Sequence, residues 1–205
     1  MIYYTADLHF DYLPILADRP FDTLEEMNET LIRNWNERVS HADTVYVLGD
    51  LGGHGQPIPE ACLERLNGKK HLIRGNHDVG LGDQQLLYRF FETVSDFLET
   101  EDEGLHVLLS HYPMVYIQRG YMIHGHLHGV RKEAYELLKQ LPRVQNACVD
   151  IHGFAPVTLR ELIANNQHFY QDPDRGRIED WMYQKKSRWR PDFHPLPRRD
   201  ENAVI

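Results

Sequence analysis

The chain has 205 residues, of which 41% are hydrophobic, enough for one domain with a sizeable core and too apolar for wholesale disorder. Lys and Arg total 22 against 31 Asp and Glu, a net charge of -9, which repels phosphate backbones at long range and disfavours nonspecific nucleic-acid binding. Cys62 and Cys148 are the only cysteines and no CxxC occurs, so a disulfide-stapled fold is excluded.

In chain order, MIYYTA is a β-rich opening that ends at Asp7. It has no basic n-region, and its apolar run is too short for a signal or a membrane span, so a soluble cytoplasmic protein without membrane association is expected. FDTLEEMNETLIRNWNERV reads as a helix, with Leu24, Met27, Leu31, Trp35 and Val39 on one stripe and Asp22 capping it opposite Glu25. DTVYVLGDLGG is an apolar strand running into a glycine turn, and PEACLERLNG a short helix stopped by Gly68. KHLIRGNHD is the next strand and turn, and LGDQQLLYRFF is helical. LHVLLSHYP and GYMIHGHLHG are strands that end in histidines, RKEAYELLKQL is a helix, VQNACVDI a strand, and TLRELIANN a final helix with Thr158 as its cap. Alternating β and α segments with doubly apolar strands place the chain in the α/β class. From residue 167 the texture changes to Pro, Arg, Trp and Asp without periodicity. The expected division is therefore a domain over 1–166 and an extension over 167–205 that packs on the domain or on a partner subunit.

Five strand ends carry polar clusters: Asp7-Leu8-His9, Gly49-Asp50, Gly75-Asn76-His77-Asp78, Ser110-His111 and Gly125-His126-Leu127-His128. In open α/β sheets, sites form beyond the carboxyl ends of strands, where segments distant in sequence converge. Carboxylate and imidazole without thiolate suit divalent cations such as Mn, Fe, Zn or Ni. Asp7 and His9 are two apart, as are His126 and His128, so each pair points to one side of an extended segment. Asp50 is the candidate to bridge two ions with its two oxygens. Singly, each cluster reads equally well as an ordinary turn or cap; their order and common placement carry the site reading.

The order DxH … GD … GNHD … H … GHxH resembles the signature of the calcineurin-like metallophosphoesterase superfamily. It covers residues 7 to 128, and NACVDIHGFAPVTLRELI is similar to the closing segment of small bacterial, archaeal and phage members. The resemblance implies two mixed β-sheets packed as a sandwich flanked by helices, with a dinuclear metal centre at one edge. It implies that Asp7, His9 and His128 hold one metal, that Asn76, His111 and His126 hold the other, and that Asp50 bridges. His77 is implied as the acid toward the leaving oxygen, and Asp78 as its orienting partner. The cofactors so implied are two divalent ions, Mn2+ first. The activity is cleavage of the P–O bond of a phosphomonoester or phosphodiester by a metal-activated hydroxide.

His54, in the loop after Asp50, and Tyr112, beside His111, are candidate substrate contacts, though a solvated loop or simple packing explains each as well. Arg74 and Arg119 read as solvated charges, Phe10 as a pocket wall or core residue, and His124 as a group behind the ligands. The tail KKSRWRPDFHPLPRR is basic with interleaved aromatics and leaves polynucleotide docking open. The alternatives to a small-ester hydrolase are a nuclease and a non-catalytic metal-binding interaction module. The expected partner is a small phosphoester, with a homo-oligomer open.

Overall fold

The computed structural model describes residues 1–79, 84–129 and 134–171. Its strands are β1 (Ile2–Thr5), β2 (Thr44–Val47), β3 (Lys69–Ile73), β4 (Thr93–Ser95), β5 (Phe97–Asp102), β6 (Leu105–Ser110), β7 (Tyr121–His124) and β8 (Val144–Asn146). The helices are α1 (Leu24–Arg38), α2 (Glu60–Leu63), α3 (Gln84–Leu87), α4 (Tyr135–Leu138) and α5 (Leu159–Gln171), with 3-10 turns at Leu13–Ala17 and Val149–Ile151.

Two four-stranded sheets form, in the orders β1-β2-β3-β4 and β5-β6-β7-β8. The first is parallel throughout. The second is mixed, because β5 runs antiparallel to β6 while β6, β7 and β8 are parallel. Strand alternation sorts the core into layers. Tyr3, Val45, Val47 and Leu72 face Met27, Leu31 and Trp35 of α1. Their neighbours Tyr4, Tyr46 and Ile73 meet Val107, Leu109 and Ile123 between the sheets. Leu108, Met122 and Val144 turn outward against Leu138 of α4. Helices therefore flank a two-sheet sandwich, with a bridge from Ala6, just past β1, to Cys148, just past β8, and another that pins the segment before α5 to Tyr4 of β1.

Several local expectations are corrected. The cap of α1 lies one residue later than the sequence suggests: Thr23 Oγ1 accepts the Glu26 amide at 3.1 Å, and the Glu26 carboxylate accepts the Asp22 amide at 3.0 Å. The expected helices over LGDQQLLYRFF and RKEAYELLKQL are limited to the single turns α3 and α4 among the described residues. VQNACVDI does not stay extended. Asn146 Oδ1 accepts the Cys148 amide at 2.9 Å, which ends β8 and starts the 3-10 turn that carries Asp150. Thr158 and Glu161 do cap α5, the carboxylate accepting the Thr158 amide at 2.9 Å. That helix continues past the expected boundary at 166 to Gln171; the rest of the extension, with its basic tail, lies outside the described residues. No described helix is long and apolar enough to cross a membrane.

The shifted cap gives a direct test. Thr23→Ala should cost about 0.5–2 kcal/mol of stability in urea unfolding, whereas Asp22→Ala, which leaves both reciprocal bonds of the box, should cost less.

Candidate metal centre

Each expected ligand sits at or just past the carboxyl end of a strand: Asp7 and His9 after β1, Asp50 after β2, Asn76 after β3, His111 after β6, His126 and His128 after β7. The two sheets meet there. The Asp7 amide donates to Gly49 O at 2.9 Å and the His9 amide to Asp50 O at 3.0 Å, so the first two loops run together. The His126 amide then crosses from the second sheet to donate to the Asp7 carboxylate at 3.0 Å.

The segments are not extended, contrary to the simple alternation argument. Asp7, His9, Asp50, His126 and His128 all have φ between 51° and 70°. Only three other non-glycine residues among those described, Asp11, Glu103 and Phe154, share a positive φ. Such a conformation costs an L-residue roughly 1–2 kcal/mol, and its concentration on five expected ligands marks a site held against local preference. The left-handed turns, not strand alternation, aim these side chains inward.

The imidazoles are oriented from behind. His9 Nδ1 donates to Gly52 O at 3.0 Å and His111 Nδ1 to Leu48 O at 2.7 Å. A carbonyl can only accept, so in the neutral rings both Nε2 atoms carry bare lone pairs. His9 Nε2 is buried without a hydrogen-bond partner among the described residues and lies 3.8 Å from Asp50 Oδ2. His111 Nε2 faces Asn76 Oδ1 at 3.0 Å and Asp50 Oδ2 at 3.5 Å. His128 Nε2 stands 3.8 Å from Asp7 Oδ1. These are acceptors facing acceptors. Ligands sharing one cation at about 2.0–2.3 Å stand roughly 3 Å apart, so the donor set fits divalent metal.

Charge points the same way. Asp7 and Asp50 are 0% and 2% exposed. Burial, reinforced by the charge of Asp7, pushes the Asp50 carboxyl up to about 7; a cation relieves that penalty. Three groups each have ligand atoms within 4.8 Å of one another: Asp7, His128 and Cys148; His9, Asp50 and His77; Asp50, His111 and His126. Asp50 belongs to two of them.

His77 stands at the rim, half-buried, its ring edge-on to His9 at 4.9 Å. Its partner differs from the expected one. The His54 amide donates to His77 Nδ1 at 2.8 Å. Asp78 faces inward instead, its carboxylate accepting the amides of Asp50 at 2.8 Å, Leu51 at 2.9 Å and Gly75 at 2.8 Å. A buried carboxylate is better satisfied by three amide donors than by one imidazole, so Asp78 ties the second and third loops together and does not orient His77. His54 is exposed, with its ring 6.1 Å from that of His77. Tyr112 is half exposed and its ring lies 4.8 Å from that of His126.

Arg74 and Phe10 are engaged elsewhere, and His124 sits behind the candidate ligands. Arg74 pairs with Asp96 at 2.8 Å. Phe10 is core, and Arg119 is exposed. His124 is fully buried and donates from Nδ1 to Gly125 O at 2.8 Å; burial pushes its pKa down to about 4, keeping it neutral.

Sequence reasoning missed Arg19 and Asp150. The Arg19 side chain is fully buried, and its Nε donates to Asp150 Oδ1 at 3.0 Å. Asp150 Oδ2 in turn lies 3.1 Å from His128 Nδ1. Burial alone would raise the Asp150 carboxyl, but Arg19 and His128 outweigh it and hold it far below the ordinary carboxylate range. An arginine in a connection and an aspartate past an apolar run carry no local signal of this pairing.

Gly75 shows how tightly the loops meet: a Cβ there would lie 2.2 Å from Asp50 Oδ1 and 2.7 Å from Asp50 N. Gly75→Ala should therefore displace Asp50 and reduce Mn2+ binding measured by calorimetry by at least tenfold. Gly52→Ala, whose Cβ meets only ordinary contacts from 3.4 Å outward, should bind as the parent does.

Residues 1–190 match the calcineurin-like phosphoesterase family. The chain is 36% identical over 169 residues to an uncharacterized protein of Methanocaldococcus jannaschii, covering 79% of this chain and 89% of that one. It is 33% identical over 132 residues to a gene 66 protein of a Mycobacterium phage, covering 56% and 64% of the two. Among solved structures, a protein of unknown function from Aquifex aeolicus superposes with a TM-score of 0.64 at 26% identity, over 78% of this chain and 96% of that one. With a matching fold and a donor set suited to divalent cations, the chain belongs to the calcineurin-like phosphoesterase family of metal-dependent phosphoester hydrolases.

Proposed function

We propose that the protein hydrolyses the P–O bond of a small phosphomonoester or phosphodiester at a centre of two divalent ions, Mn2+ foremost. The observation that carries this reading is the inward-facing set of lone pairs around Asp50, with His9 Nε2 buried and partnerless at its edge. Asp7, His9 and His128 would hold one ion, Asn76, His111 and His126 the other, and Asp50 both. When bound, such a pair supplies positive charge to the phosphoryl oxygens and activates water as nucleophile.

The chain's own residues do the rest. Asp78 fixes the loops of Asp50 and Asn76 relative to one another through its three amide bonds. The His54 amide at His77 Nδ1 leaves the ring proton on Nε2 in the neutral imidazole. His77 Nε2 thus presents a hydrogen to the leaving oxygen. Full transfer of a proton from an imidazolium requires the His54 loop to release Nδ1, so substrate binding and loop movement are linked at this residue. Tyr112 walls the opening on the side of the second sheet. Polynucleotide binding through the basic tail and self-association are the open extensions of this reading.

Two variants test it. His77→Asn should retain two Mn2+ by metal analysis and lose about 10²–10⁴-fold in turnover on an alkyl phosphoester; equal turnover of variant and parent would refute the acid role. Asp50→Ala should lose metal together with activity, and two ions retained there would refute bridging. Parent enzyme with Mn2+ should turn over p-nitrophenyl phosphate or its bis ester. Activity on neither ester would favour a non-catalytic module, and cleavage of polynucleotide alone a nuclease.

A further inference from the structure

His128 is supported differently from the other imidazoles whose backing is seen. His9 and His111 donate to neutral carbonyls, Gly52 O and Leu48 O. The acceptor for His128 Nδ1 is the Asp150 carboxylate at 3.1 Å, and that carboxylate is gripped by a buried guanidinium. Arg19 reaches both Asp150 oxygens, Nε at 3.0 Å and one terminal nitrogen at 3.2 Å. Its terminal nitrogens also donate to Leu8 O at 2.8 Å and to Asp7 O. Cys148 Sγ donates to Asp150 Oδ2 at 2.7 Å. One cation therefore joins the loop that bears Asp7 and His9 to the turn that backs His128. These three residues come from opposite sheets.

We propose that Arg19 and Asp150 are positioning residues for His128, and that they set the affinity of one ion of the pair without setting that of the other. The proposal rests on the two-position reading given above. Its physical content is threefold. A carboxylate at Nδ1 fixes the His128 tautomer with a bare Nε2 toward Asp7 and makes that nitrogen a stronger ligand than a carbonyl-backed imidazole. Arg19 compensates the buried charge of Asp150, which unpaired would be strongly unfavourable. Its bonds to the Asp7 and Leu8 carbonyls hold the left-handed loop in register with His128. Replacing the carboxylate by an amide keeps the volume of Asp150 but removes the charge that makes this support work.

The test is Mn2+ titration of the full chain by calorimetry, using parent, Asp150→Asn, His128→Ala and the double variant. The parent should take up two ions. Asp150→Asn should bind one as the parent does and the other about 10–100-fold more weakly. His128→Ala should lose that same ion, and adding Asp150→Asn to it should leave the retained ion's affinity unchanged. Asp150→Asn that keeps both affinities, or weakens both alike, overturns the proposal. His128→Ala that retains both ions overturns the two-position reading itself. A measurement on the parent guards against a variant that does not fold. Long-range 1H-15N histidine correlation on the metal-free protein, at about pH 9 and well above the ordinary imidazole pKa near 6.5, should show the His128 proton on Nδ1. A proton on Nε2 would contradict the inference.

Discussion

Two carboxylates, Asp7 and Asp50, are buried where the carboxyl ends of two sheets converge, and most of the local structure answers to that placement. Buried carboxylates without a compensating cation are costly by several kcal/mol each. The chain surrounds them with imidazoles turned so that bare nitrogens face inward, and with backbone amides from His77 and His126 on the carboxylate oxygens. The amides satisfy part of each carboxylate's capacity. The remainder faces lone pairs of His9 and His111 at Asp50 and of His128 at Asp7, an arrangement that is unfavourable for the protein alone and favourable around metal.

The strain fits the same account. Five of the candidate ligands lie in left-handed conformation, and glycines beside the site let neighbouring loops approach to distances no Cβ would allow, as at Gly75. Asp78 binds the second and third loops through their amides, and Arg19 binds the first loop to the turn behind His128. Each loop is thus fixed by a buried charge on a residue that need not touch substrate. Rigid support of this kind holds the candidate ligands in place without metal, which is what preorganised electrostatic catalysis would require.

Much of this was legible from the chain. Apolar runs ending in Asp, His or Asn located every strand that feeds the site, because burial on both faces leaves a strong, local hydrophobic signal. The order of those ends identified the family. What escaped detection was either weakly apolar or non-local. β5 alternates exposed Phe97, Glu99 and Glu101 with half-buried neighbours, so its sequence reads as polar connection. The one available clue was the Glu103-Gly104 pair, both with positive φ, which closes the hairpin to β6. The role that the resemblance implies for Asp78 does not hold, because the turn sends its carboxylate inward to three backbone amides. Arg19 and Asp150 are 131 positions apart, and no periodicity connects them.

The claim most exposed to refutation is that Asp50 lies between two ions. Crystals of the protein grown with Mn2+ and measured at an X-ray energy just above the manganese absorption edge would decide it. Two anomalous peaks about 3.5–4 Å apart, each within bonding distance of an Asp50 oxygen, are the predicted result. A single peak, or peaks remote from Asp50 while Asp7 and His111 remain unligated, would contradict the account.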